Sequence, residues 1–258
     1  MKAPLVSVIT PAFNSEKFIA ETIRSVQNQT FPDWELLIVD DCSSDKTVAI
    51  VAAFAENDPR IQLIQLQKNS GTGIARNTAV AKASGKYIAF LDADDLWKPE
   101  KLEKQIGFIK THRLPFTFSF YDVMDEAGIP LNATIEAPWK LTYKQLFFCN
   151  YVGNLTAIYD TEFLGKVNIN AARKRQDWML WLTILKRIKI AQPVRESLAI
   201  YRIRKNSISA SKWDLIQYNF AIYRNFHRLN YVAAIGCMSW FLVTQIFIKP
   251  RYKKKIKA

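Results

Sequence analysis

The chain has 258 residues, of which 49% are hydrophobic and 23% charged, with a formal net charge of +13. That length holds one large α/β domain or a domain with an appendage, and the apolar share excludes low-complexity disorder for most of it. Residues 1–172 carry 17 Lys/Arg against 20 Asp/Glu, whereas 173–205 and 212–258 each carry eight cations in excess. A partner drawn by charge, whether polyphosphate, anionic membrane or nucleic acid, would therefore meet the C-terminal third.

Residues 5–10, 34–39, 61–66 and 87–91 are short Val/Ile/Leu runs almost free of polar residues, which predicts strands buried on both faces. Between them, 16–29, 46–56 and 73–83 read as helices. In the first, Phe18, Ile19, Thr22, Ile23 and Val26 recur at helical spacing, and Asn14 or Ser15 is placed to cap its start. Such alternation predicts a parallel sheet with helices on its faces, right-handed connections, and ligands beyond the C-terminal strand ends. After residue 115 the pattern becomes mixed, with strands expected at 116–122, 154–159 and 198–204 and an amphipathic helix at 178–186. In the tail, Ile216, Phe220, Tyr223 and Phe226 follow helical spacing, 230–248 holds no charge, and 249–255 is basic. The run at 5–10 stops at Pro11, too short for a signal peptide. Cys42, Cys149 and Cys237 are odd in number and scattered, and only His112 and His227 accompany them. Neither a disulfide framework nor a structural zinc site is expected, and a reducing compartment fits.

Three of the four early strands end in turn-forming or acidic groups: Pro11-Ala12-Phe13-Asn14, Asp40-Asp41 and Asp92-Ala93-Asp94-Asp95. In a parallel sheet these ends share one edge, where several carboxylates repel one another unless a cation or hydrogen-bond donors are present. Two aspartates one residue apart suit a hard divalent ion such as Mg²⁺ or Mn²⁺. Asp-Ala-Asp alone is weak, since Asp is a common turn residue; its weight comes from its place at a strand end, with Asp40-Asp41 at another. Gly71 through Asn77 opens a helix but lacks the third glycine of a dinucleotide fingerprint and does not follow the first strand, which disfavours a dehydrogenase. Arg76, near the start of that helix, is either an ordinary arginine or a phosphate- or base-directed one.

These three strand ends, taken with Asn69 through Asn77 and in this order and spacing, resemble the ordered motifs of family 2 glycosyltransferases over about residues 5–210. The resemblance implies an α/β GT-A fold, a Rossmann-like, mostly parallel sheet flanked by helices. Residues 1–211 would form that domain, 1–95 taking the nucleotide and 96–211 the acceptor, with 212–258 a helical, basic, membrane-associating tail. It implies Phe13 near the base, Asp41 accepting from the uracil N–H, Pro11 supplying shape, Arg76 approaching the nucleotide, and Asp92 at the ribose or a metal-bound water. Asp94 would ligate the Mn²⁺ or Mg²⁺ that bridges the diphosphate, while Asp95 holds the loop. In that family the base of the inverting displacement comes from an acidic pair at a helix start, so the resemblance implies Asp177 as the base; Gln176 stands where many relatives carry Glu. As a plain residue, Asp177 would be a helix N-terminal acid favoured by the dipole. Arg202, Arg204 and Lys205 are candidates for diphosphate contact.

The implied partners are a UDP-sugar donor, a glycan or polyprenyl-diphosphate-linked acceptor in bacterial surface-polysaccharide assembly, and an anionic membrane surface. Nucleic acid is not expected, since the basic tail carries no recognisable motif. A single crossing by 230–248 would put the basic end outside, against the positive-inside tendency. An in-plane or re-entrant arrangement on the cytoplasmic face of the plasma membrane avoids that. The competing readings are an inactive nucleotide-sugar-binding scaffold and a sugar-phosphate nucleotidyltransferase. The latter needs a Gly-rich basic loop after the first strand, and Pro11-Ala12-Phe13-Asn14 is not one.

Overall fold

The first strands have no polar face. In the computed structural model, which describes residues 3–170, 172–204 and 212–256, β1 (Val6–Ala12) and β2 (Trp34–Asp40) are buried along their whole length. They pair in parallel from Val6 opposite Trp34 to Ala12 opposite Asp40. β3 (Ile61–Gln65) continues in parallel beyond β2, and β4 (Tyr87–Phe90) lies parallel on the other side of β1. The crossovers are α1 (Ile19–Gln27), α2 (Thr47–Asn57) and α3 (Thr72–Lys82). In the order β3-β2-β1-β4 the chain reverses its direction of travel at β1, and the crevice beyond β1 and β4 is where such a sheet takes a ligand.

α1 starts at Ile19, later than expected, and neither Asn14 nor Ser15 caps it with a side chain. A turn intervenes. Asn14, at φ 46°, is carried towards the loop after β2, where its Oδ1 accepts from the Ser44 N–H, and the Ser15 carbonyl takes the N–H groups of Phe18 and Ile19.

Beyond β4 the sheet is mixed. The chain continues through β5 (Leu96–Trp97), α4 (Lys101–His112), β6 (Phe116–Met124), β7 (Pro130–Ile135), β8 (Leu141–Thr142) and α5 (Tyr143–Phe148). It then forms β9 (Ile158–Asp160), α6 (Thr161–Leu164), α7 (Gln176–Ile188) and β10 (Ile190–Arg202). β9 runs antiparallel between β4 and β6, and β10 runs parallel to β6. The strand expected at 154–159 begins only at Ile158, after a single 3₁₀ turn. There the Leu155 and Thr156 carbonyls are met by the Trp97 indole and the Gln105 amide, so no ladder partner is needed. β10 starts eight residues before its expected position. Pro193 and register shifts on both sides of Ser197 break its alternation.

The tail is part of the body. α8 (Lys212–Ala221) leads to α9 (Tyr231–Val243), whose helical path continues to Tyr252, and β11 (Lys253–Lys255) then pairs antiparallel with β7. Tyr223, Ala234, Met238 and Phe241 are buried in the same apolar cluster as Trp178 and Trp181 of α7. The Tyr223 and Thr244 hydroxyls donate to the carbonyls of Phe147 and Phe148 in α5. The outward side is apolar too: Val232 is 81% exposed, Ile246 63% and Phe247 64%.

Candidate active site

The loop after β2 is held by its own acids. Asp40 accepts from the Ser43 N–H, and Asp45 from Thr47 and the Glu16 N–H. Asp41 reaches further: its two carboxylate oxygens accept from the backbone N–H groups of Ser70 and Gly71 at 2.7 and 2.8 Å. Gly71 sits at φ 88°, a conformation that costs a side-chain-bearing residue energy, and it opens α3. Asp41 thereby fixes where α3 begins and hence where Arg76 projects. Phe13, just past the end of β1, is 48% exposed, whereas Pro11 is buried within the strand opposite Val39.

Arg76 joins two sides of the crevice. One terminal nitrogen donates to Asp92 Oδ1 at 2.5 Å and the other to Gln176 Oε1 at 3.0 Å. Asp92 also accepts from the Asn154 amide at 3.1 Å. The guanidinium is almost wholly buried, so these charge-assisted bonds act with little screening. Gln176 in turn donates to the Ala172 carbonyl.

Asp94 and Asp95 do different work on the same loop. Asp95 is buried and accepts from the Arg202 N–H at 2.9 Å; burial, then Asp94 and Asp92, push its carboxyl well above the usual range. Asp94 is also pushed up, first by burial and then by Asp92, against the opposing charge of Arg204. Arg204 Nε lies 2.9 Å from Asp94 Oδ2, but its N–H does not point along that line, which makes the contact an ion pair. Arg202 is committed to the protein: it donates to the Asp94 and Glu126 carbonyls and pairs with Glu21 at 2.6 Å. Of the expected diphosphate contacts, Arg204 lies beside the acid and Arg202 ties its loop down, while Lys205 is outside the described residues.

Asp177 stands in the first turn of α7, one residue after Gln176, and its Oδ2 accepts from the Asn150 amide at 2.9 Å. It lines a cleft of about 400 Å³ together with Arg76, Asp92, Asn154, Gln176 and Tyr201. Asp94 does not line that cleft; it pairs with Arg204. Arg175 precedes α7 at φ 66°, with its Nε buried and unbonded. Lys249 and Tyr252 of the tail also line the cleft. Asn150, Asn154 and these two tail residues were missed from sequence. Each reaches the site through tertiary contacts and none belongs to a spacing pattern.

Among the described residues no group of three or more His, Cys, Asp or Glu clusters as a metal site. The donor set at Asp92 and Asp94 nonetheless fits a magnesium-type ion, which takes one or two carboxylates and leaves positions for phosphate oxygens and water. The repulsion that raises Asp94 is what a cation would relieve.

The Glycosyl transferase family 2 sequence pattern matches residues 7–165. The chain belongs to that family. This family 2 glycosyltransferase is 42% identical over 234 residues to a Bacillus subtilis protein named for a glycosyltransferase of teichuronic acid biosynthesis, covering 91% of this chain and 93% of that one. It is 37% identical to the Escherichia coli UDP-Glc:α-D-GlcNAc-diphosphoundecaprenol β-1,3-glucosyltransferase WfgD, covering 88% and 92%. Among solved structures it superposes on Staphylococcus aureus TarS 1-349 in complex with UDP-GlcNAc with a TM-score of 0.70 at 22% identity, covering 96% of this chain and 74% of that one. It superposes on a Pyrobaculum calidifontis mannosyltransferase in complex with GDP-Man and Mn²⁺ with a TM-score of 0.68 at 18% identity, covering 98% and 72%. The fold is GT-A, an α/β sheet flanked by helices.

Proposed function

We propose that the chain transfers a sugar, with inversion, from a UDP-sugar to a hydroxyl of a lipid-diphosphate-linked saccharide in bacterial surface-polysaccharide synthesis. One observation carries the reading: Asp177 opens on the same cleft as Asp92, and Arg76 with Gln176 bridges the two. An acceptor hydroxyl beside Asp177 gives up its proton to the carboxylate as its oxygen attacks the anomeric carbon. The bond from that carbon to the diphosphate breaks, and the electron pair leaves on the nucleotide. Asn150 holds the base in orientation.

Phe13, exposed at the strand end, offers a face to the uracil, and Pro11 shapes the strand end beneath it. Asp41 has lone pairs left after its two backbone bonds to meet the uracil N–H. Asp94, with Asp92 near it, would hold Mg²⁺ or Mn²⁺, which neutralises charge on the departing diphosphate when bound. Arg204 adds cationic help, and Arg202 positions the loop that carries Asp94. The nucleotide and acceptor are supported by the E. coli relative, whose name specifies UDP-glucose and a diphosphoundecaprenol-linked sugar, and by UDP and UDP-GlcNAc in the TarS complexes. Mn²⁺ in the mannosyltransferase complex supports a divalent ion.

In this reading residues 1–95 take the donor, 96–211 the acceptor, and 212–258 lay an apolar helix face on the cytoplasmic side of the plasma membrane. The test is UDP release from a panel of UDP-sugars with a diphospholipid-linked acceptor and Mn²⁺ or Mg²⁺. Asp177→Asn should lower kcat by 10³-fold or more with the donor KM little changed, as expected for loss of a general base and the geometry it imposes. Asp94→Ala should abolish metal-dependent release. UDP binding with no release under any of these conditions would move the inactive-scaffold reading ahead.

A further inference from the structure

The cleft carries cations besides Arg76, and one of them comes from the tail. Lys249 lines the cleft and has no hydrogen-bond or ion-pair partner among the described residues. Arg173 lines it exposed, and Arg175 brings a buried Nε with no acceptor. Burial holds the Arg175 guanidinium below its usual range, opposed by Asp177. Lys249 and Arg175 line the same cleft, and the charge of each bears on the buried Cys149 thiol. Glu136 also lines the cleft, its backbone N–H meeting the Tyr252 carbonyl at 2.8 Å. Cations with unmade bonds in a concave wall call for an anion.

Lys249 also follows directly on the apolar face. Ile246 and Phe247, 63% and 64% exposed, lie within one turn of it on the same helical path. Tyr252, beyond it, stacks edge-on against Tyr151 at 5.3 Å and so fixes that end of the helix to the cleft. An anion held by Lys249 therefore sits at the boundary between a polar cleft and a hydrocarbon-compatible surface. One kind of molecule satisfies both sides: an amphiphile with a multiply charged head and a long apolar chain.

We infer that Lys249, Arg173 and Arg175 form an acceptor-side anion subsite that takes the diphosphate of a lipid-linked acceptor, whose chain runs out along the Ile246 and Phe247 face. This rests on the transferase reading above and deepens it. The tail is then a wall of the acceptor site as well as a membrane contact, and the subsite is distinct from the Asp92–Asp94 region that faces the donor diphosphate.

The probe is farnesyl diphosphate, titrated by calorimetry into the full chain with saturating UDP present. Binding to the UDP-filled protein is expected, at least tenfold tighter than inorganic pyrophosphate or farnesol. Lys249→Glu and Arg173→Glu should each weaken it at least tenfold while the UDP affinity and the circular dichroism stay as in the wild type, and Lys249→Arg should restore it. Displacement of farnesyl diphosphate by UDP, or unchanged affinity in both charge-reversal variants, would overturn the subsite. Equal affinity for inorganic pyrophosphate would overturn the lipid assignment, and so would displacement by phosphatidylglycerol vesicles, which would assign the wall to phospholipid headgroups. A protein that binds farnesyl diphosphate as expected but neither binds UDP nor transfers sugar would sink the transferase reading and leave the subsite standing.

Discussion

Gln176 makes two contacts that a glutamate in its place could not both make: it accepts from Arg76 and donates to the Ala172 carbonyl. Gln176→Glu would gain charge against Arg76, which Asp92 already pairs, and would set a carboxylate oxygen against a carbonyl. Losing that donor costs about 1–3 kcal/mol, and the strain falls on residues 172–175, next to Asp177. Turnover should fall about tenfold with UDP affinity unchanged; a variant as active as the wild type would show that the Ala172 contact is idle. Lys101 poses the opposite problem. It is fully buried, its Nζ has no acceptor, and the nearest polarisable partner is the Trp97 ring at 3.9 Å. Burial pushes its amine well below the usual lysine range. With the folded-state pKa lowered, the cost of burying Lys101 is present at neutral pH and vanishes as pH rises towards the unfolded value of about 10.4. Lys101→Met should therefore melt higher at pH 7, by about 1–3 kcal/mol in stability, with the gain shrinking towards pH 10 in calorimetric scans.

At the scale of elements, α7, α5 and the tail meet around His227, whose ring lies 4.4 Å from Phe147 and 5.0 Å from Phe226. Burial, and then Lys186, lowers its pKa to about 4. The neutral ring is the folded form, so its contribution is complete above the unfolded pKa of about 6.5 and is lost as pH falls from there towards 4. His227→Phe, which keeps an aromatic ring, should flatten the decline in Tm between pH 7 and 4.5; an unchanged slope would assign that decline to other groups. The elements legible in the sequence were those whose pattern is local. β1, β2 and β4 are nearly unbroken apolar runs, and α7 carries a periodic stripe. β3, expected to be buried on both faces, exposes Gln62 and Gln65 because it has no strand beyond it among the described residues. β11 was illegible because Lys253–Lys255 has no strand signal of its own and becomes a strand only by meeting the edge of β7. α5 did carry a signal that went unread, the Thr142 and Gln145 capping box. The site divides the same way. Arg76, Asp92 and Asp177 could be found because each follows or opens an element, and the structure brings all three to one cleft. That Asp41 positions α3 and Arg202 ties down the Asp94 loop depends on contacts 30 and about a hundred residues away in sequence, which no spacing announces.

For the whole molecule, the question is how the stretch from Tyr231 to Tyr252, whose most apolar 18-residue window has mean hydropathy 1.8 and is only 22% buried, relates to a bilayer. Its length of about 33 Å would reach across one. Both ends, however, are fastened to the same body: the Tyr223 hydroxyl donates to the Phe147 carbonyl of α5 just before it, and the Tyr252 carbonyl takes the Glu136 N–H at its end. A helix pinned at both ends to a polar domain lies along that domain, and only its outward side can enter lipid. Exposed Arg251, Lys253, Lys254 and Lys255 stand at one end of that side, where anionic headgroups would meet them. We therefore expect binding to vesicles containing phosphatidylglycerol, weaker on neutral vesicles and reduced by raising salt from 0.15 to about 0.5 M. Ile246→Glu with Phe247→Glu removes roughly 3 kcal/mol of apolar insertion, so vesicle affinity should drop about a hundredfold. Flotation of wild type and double variant checks this. Protein from cells that resists high salt and alkaline washing, and comes off only in detergent, would instead require the helix to detach from α5 and cross the bilayer.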